Sequence, residues 1–180
     1  MSEAAPPPRH VLVAGAGGAT GSAVLHELLG ETNQDRVTVL TTRAFLQTTA
    51  RLDHAVVRDA AGWADALPAA DHAVIVFGTA RRAREAVYWQ PARADLLPLA
   101  RALHARGVRS LEVVLAEGGL DVVERLEIQR IGFHTVTDRR RSTASVIASG
   151  QPRGIWPERL AAWMIHLVVS TMQQLMRGKR

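Results

Sequence analysis

Short apolar runs alternate along this chain with stretches whose apolar positions recur at helical spacing. Six runs read as strands: His10–Ala14, Arg36–Thr41, His54–Val57, Ala73–Phe77, Leu111–Leu115 and His134–Thr137. They are Val-rich and nearly continuous in apolarity, the pattern of strands buried on both faces of a parallel sheet. Between them, helices are predicted over Thr20–Leu29, Trp63–Leu67, Pro91–Arg106 and Leu120–Ile131. The third has Pro91 at a first helical position and Gly107 at its stop, and Pro98 in its middle predicts a kink. Strand alternating with helix predicts an α/β fold, a doubly wound parallel sheet of about six strands with helices on both faces.

A different pattern follows at the C-terminal end. From Pro157 to Gly178 the polar positions Arg159, His166, Ser170, Gln173 and Arg177 make one narrow helical face. Leu160, Trp163, Met164, Leu167, Val168, Met172 and Leu175 make a wide apolar one. The polar face argues against a membrane span. This added amphipathic helix packs on its own domain, forms a homodimer interface or, with weaker support, lies on a membrane surface. Residues 1–8, acidic and then proline-rich, read as a disordered tail, and residues 9–180 as a single domain.

Composition narrows the function classes. The 180 residues include no cysteine, which excludes disulfides, thiolate nucleophiles and zinc–thiolate sites. No secretory signal is legible in the sequence, so the expected location is cytoplasmic. The net charge of +5 allows nucleic acid as a partner, but aromatics are only 4% and no nucleic-acid-binding motif is present, so none is expected. Seven histidines are scattered without ligand spacing, and no metal site is expected.

The chemistry-bearing motif is "GAGGATG". Gly15, Gly18 and Gly21 stand at spacing 0, 3 and 6, with Gly17, Ala19 and Thr20 completing the turn. The turn follows a strand, opens a helix and leads to a second strand, the setting of a Rossmann dinucleotide loop. Its first glycine makes the tight turn, the second admits a pyrophosphate to the backbone, and the third lets helix pack on strand. The helix N-terminus adds free N–H groups and a partial positive charge. After the second strand the sequence reads Thr41, Thr42, Arg43 with no carboxylate, which favours NADP over NAD because Arg accepts a 2′-phosphate. Asp59, after the third strand, reads either as an adenine neighbour or as a helix cap.

With these glycines, "TTR" after the second strand and "VIVFGTARR" after the fourth, the chain resembles the atypical short-chain dehydrogenase/reductase group, in its Tat-interacting-protein-like branch, over about His10 to Arg177. The resemblance implies that Gly15, Gly18 and Gly21 line the pyrophosphate and Arg43 reaches the 2′-phosphate. It also implies that Gly78 and Thr79 pass beside the nicotinamide ribose, and that Arg81 matches a family arginine. The departures are as informative. That family carries a Ser after the fifth strand and then Tyr-x-x-x-Lys; here Ala116 and Glu117 stand in that region, and the only Tyr and the only Lys are Tyr88 and Lys179. Set beside that family, the chain reads as a shortened relative that lacks the usual proton-transfer residues.

Hydride transfer to a carbonyl needs a proton source. Glu117, at the carboxyl end of the fifth strand, is the best placed substitute, and its bland reading is a loop carboxylate. Arg139 and Arg140 in "DRRRS" follow the sixth strand and could clamp a small acidic substrate, with Arg81, Arg82 and Arg84 on the same rim. His134 opens the sixth strand at the end opposite the ligand side and reads as structural. Three functions fit. One is an NADP(H)-dependent oxidoreductase with a non-standard proton donor. The second is a non-catalytic NADP(H)-binding regulatory or partner subunit. The third is a non-redox enzyme of isomerase or lyase type using Glu117 as acid or base.

Overall fold

Valine and leucine alternate along β1 (His10–Ala14), so that each residue buries its side chain on one face or the other of a central sheet. The computed structural model describes residues 9–30, 36–45, 50–57, 63–78 and 86–140. The tail at residues 1–8 and the C-terminal helix expected from Pro157 lie outside the described residues. After β1 come α1 (Gly18–Gly30), β2 (Arg36–Thr41), β3 (Leu52–Val56), α2 (Trp63–Ala66) and β4 (His72–Phe77). A 3-10 turn (Arg93–Asp95), α3 (Leu96–Ala105), β5 (Ser110–Leu115), α4 (Val122–Ile131) and β6 (Thr135–Arg140) complete the described part.

The six strands form one sheet in the order β3-β2-β1-β4-β5-β6, and every pair is parallel. This is the order of a doubly wound Rossmann sheet, in which the strand sequence reverses between β1 and β4. Each face carries its own apolar layer. Leu12, Leu40, Ile75, Leu111 and Val113 pack with Leu99 and Leu103 of α3 and Ile128 of α4. Val11, Val13, Val37, Val39 and Val74 pack with Val24 and Leu25 of α1 on the other face. The helices therefore lie on both sides, as right-handed crossovers require.

The structure corrects several sequence-based boundaries. β3 begins two residues early, because Leu52 already pairs with Val37. α4 starts at Val122, where Asp121 and Glu124 bond each other's backbone N–H groups as a capping box (2.7 and 2.9 Å). The helix expected from Pro91 to Arg106 is instead a 3-10 turn followed by α3. Pro98 falls in the first turn of α3, where its missing N–H has no intrahelical partner to lose, so no mid-helix kink arises. β6 runs on to Arg140 because its register with β5 holds as far as Leu115. His134 stands just before β6, its N–H donating to the Arg109 carbonyl (2.9 Å).

Two glycines with positive φ make a test of the turn. Gly15 (φ +86°) has no room for a β-carbon, which would run into the Val76 carbonyl, whereas Gly107 (φ +91°) faces open space. Gly107→Ala should cost about 1–2 kcal/mol for the left-handed backbone alone. Gly15→Ala should cost at least about 3 kcal/mol, since strain and overlap add. Denaturant midpoints measure both, and equal losses would contradict the packing described at Gly15.

Candidate functional site

The glycine turn lies at the carboxyl edge of the sheet, between β1 and β4, where ligands of open α/β folds bind. Gly15 turns the chain at positive φ against Val76, and Gly18 (φ +72°) begins α1. Gly21 allows α1 to lie on the turn, because a β-carbon there would overlap the carbonyl of Gly15 and the backbone of Ala16. Gly17, Gly18, Thr20 and Gly21 are buried, while Ala19 is exposed. The first turn of α1 contains no acidic residue, so nothing on the helix itself offsets its positive N-terminal end. Gly78, just past β4, faces this turn: a β-carbon there would sit 3.8 Å from Thr20 Cβ and 3.9 Å from the Gly17 carbonyl. Residues expected from the sequence to share a ligand are thus brought together from both sides of the crevice.

The segment Ala86–Gln90 belongs to the site and was not legible in the sequence. Trp89 N–H donates to the Leu40 carbonyl (3.0 Å), and the Trp89 carbonyl accepts from Gly15 N–H (3.1 Å). Thr42 N–H donates to the Val87 carbonyl (2.8 Å), and Thr42 Oγ1 donates to the Ala86 carbonyl (2.7 Å). An antiparallel bridge between Thr41 and Tyr88 completes the contact. The segment therefore straps the carboxyl ends of β1 and β2 together. Thr42 gives its hydroxyl proton to the strap and keeps only acceptor capacity. Arg43, one residue on, is exposed.

Gln90, next along the strap, has both carboxamide atoms buried without a hydrogen-bond partner among the described residues. An orphaned polar group of this kind costs about 1–3 kcal/mol. No sequence signal marks Gln90 beyond its place before Pro91, whose Cδ lies 3.3 Å from where a Gly15 β-carbon would be. A cradle emptied of β-carbons, an uncompensated helix N-terminus and an unpaired carboxamide suit a ligand that brings negative charge and hydrogen-bonding groups.

Glu117 is exposed two residues beyond the end of β5, on the same carboxyl edge. Ala116 N–H reaches the Phe77 carbonyl (3.4 Å), so the Glu117 loop adjoins the end of β4. Arg139 stands elsewhere than expected. It lies inside β6 instead of beyond it, and its guanidinium binds Glu27 of α1 (2.7 Å) and Glu112 of β5 (3.0 Å). Those carboxylates make it a fastening for the edge strand, not an open anion clamp. Arg140 closes β6 level with Leu115 and is exposed. Asp59, Thr79, Arg81, Arg82, Arg84 and the end of "DRRRS" lie outside the described residues. Among the described residues no group of His, Asp and Glu is arranged to hold a metal, and no helix is long and apolar enough to cross a membrane.

No family model matches the chain, and no curated protein matches it in sequence. Solved structures do. The Bordetella bronchiseptica enzyme WbmG in complex with NAD aligns over 74% of this chain and 53% of its own, with 14% identity and a TM-score of 0.46. Pen from Bacillus thuringiensis aligns over 74% and 50%, with 15% identity and a TM-score of 0.46. UDP-N-acetylglucosamine 4-epimerase from Bacillus cereus aligns over 69% and 48%, with 13% identity and a TM-score of 0.41. The chain spans about half the length of each of these.

Tyr88 makes the strap measurable, because it is the single tyrosine. It packs edge-on to Phe45, and burial pushes its phenol above the ordinary range. Above a pH of about 10 the unfolded chain loses a proton that the folded chain retains. The stability tied to this group is therefore complete below the unfolded value and is lost as pH rises through the folded one. A titration of tyrosinate absorbance should give a folded midpoint above that of the denatured protein. Coincident midpoints would mean that the strap does not bury Tyr88.

Proposed function

We propose that this protein binds NADP(H) and belongs with the short-chain-dehydrogenase-like proteins. The observation that supports this most is the glycine turn at the β1/β4 reversal, where Gly15 and Gly21 are required sterically and α1 presents its N-terminus. In this reading Gly17, Gly18, Ala19 and Thr20 hold the diphosphate with their N–H groups. Gly78 and Thr79 border the nicotinamide ribose. Thr42 accepts from the adenosine ribose, and Arg43, exposed and without a carboxylate neighbour in sequence, takes the 2′-phosphate. Asp59 is assigned to the adenine. Gln90 supplies the buried donor and acceptor that a nucleotide would satisfy.

A bound nicotinamide supplies or accepts a hydride. The protein's part is to place a carbonyl substrate over it and to hold a proton nearby. The single Tyr88 is built into the strap and is followed by no Lys at the required spacing, so Glu117 is the residue assigned that proton. Among the described residues, Arg140 is a basic group at that edge for an acidic substrate. The missing Tyr–Lys pair also supports a second reading, a cofactor-binding subunit without turnover.

Titration with NADPH and NADH tests the assignment. Arg43→Ala removes charge-assisted bonds to the 2′-phosphate and should weaken NADPH by about 10- to 100-fold. NADH, lacking that group, should change by less than about twofold. Equal losses would remove Arg43 from the site, and no binding of either dinucleotide to the native protein would end the cofactor reading. Turnover of carbonyl substrates abolished by Glu117→Gln would favour the enzyme, and tight binding without turnover the subunit.

A further inference from the structure

Arg93 sits in the 3-10 turn ahead of α3, with no role in the contacts just assigned. Its Nε donates to Glu124 Oε1 (2.8 Å) and its Nη2 to Glu124 Oε2, a bidentate pair. The same Nη2 donates to the Gly119 carbonyl (3.2 Å), and the guanidinium lies 5.3 Å from the centre of the Phe77 ring. Glu124 is itself fixed, since it is the third residue of α4 and accepts from Asp121 N–H. One side chain therefore joins the last residue of β4, the loop after β5 and the first turn of α4. Gly78 lies next to the first of these, and Glu117 lies in the second.

Among the described residues, this loop is also tied by the Ala116 N–H bond to the Phe77 carbonyl (3.4 Å). Residues Glu117–Gly119 are exposed, Gly118 has φ +72°, and two adjacent glycines leave the backbone free to adopt many conformations. Fixing each such residue costs free energy that a ligand must otherwise supply on binding. The Arg93 side chain is 39% exposed and that of Glu124 18%, so this pair is more sheltered than Arg36–Asp53, Arg101–Glu127, Arg125–Asp138 and Arg130–Glu127. A lysine could make one ion pair here but not the planar fork that reaches both carboxylate oxygens and the Gly119 carbonyl.

We propose that Arg93 is a positioning residue: it ties the loop after β5 and the first turn of α4 to the end of β4, and so fixes the Glu117 loop over the nicotinamide half of the crevice. The inference rests on the dinucleotide reading above. It assigns Arg93 no contact with the ligand and no part in binding the adenosine half, which lies across β1 and β2.

Affinities for two ligands separate this role from a merely structural one. NADPH spans both halves of the crevice, whereas adenosine 2′,5′-bisphosphate fills only the adenosine half. Arg93→Met should weaken NADPH by about 3- to 10-fold, because the loop must then be ordered on binding. Binding of the bisphosphate should stay within about twofold of the native protein. Arg93→Lys, which keeps the charge, covers the case in which Arg93→Met fails to fold, and it should show the same split. Unchanged NADPH affinity in both single variants would overturn the proposal, as would equal losses for the two ligands. Native protein that binds neither ligand would instead overturn the dinucleotide reading on which the proposal rests.

Discussion

At the end of β1 the chain turns at Gly15 so close to Val76 that no side chain fits between them. Much of the site follows from that approach. It brings β1 and β4 side by side at the point where strand order reverses, which opens a crevice above their carboxyl ends. It sends the chain directly into α1, and Gly21 then lets the helix settle on the turn it has just left. A leucine-rich layer on one face and a valine-rich layer on the other hold the strands that carry this turn, so the turn is rigid because its supports are buried on both faces.

The edges of the sheet are organised by different forces. β6 is mostly exposed and is fastened by Arg139 to Glu27 and Glu112 and by Asp138 to Arg125. Ion pairs at this exposure contribute about 0.2–1 kcal/mol each, so the β6 edge opens more readily than the central strands. The crevice lies between these regimes. Its β1/β2 side is backed by the Ala86–Gln90 strap through backbone hydrogen bonds, and its β4/β5 side by the sheet pairing of Phe77 with Leu115 and by Arg93 through Glu124 and Gly119.

The central strands were legible because burial on both faces leaves a continuous apolar run, and the bounds of β1 and β2 match the sequence reading residue for residue. The glycine turn was legible because only glycine meets its steric demands, which makes spacing informative. What could not be read depends on partners far away in sequence. Thr42 stands in the "TTR" that carries the family resemblance, but nothing local shows that its hydroxyl is bonded to Ala86. Arg139 looked like a free loop arginine because the carboxylates that bind it come from α1 and β5. Arg93 and Gln90 passed unnoticed for the same reason: one is an ordinary arginine until Glu124 folds beside it, and the other an ordinary amide until it is buried. Pro98 misled because a proline breaks a helix only by its position in it, and the 3-10 turn ahead of α3 moved that position to the first turn.

The central claim is that the turn between β1 and α1 holds the diphosphate of a dinucleotide. Amide resonances followed by NMR during addition of NADP test it at the atoms concerned. The account predicts large shifts at Gly17, Gly18, Ala19 and Thr20, whose N–H groups open the helix, with a smaller response at Gly78 across the crevice. Shifts that leave these residues unchanged, or that fall elsewhere on the sheet, would contradict it.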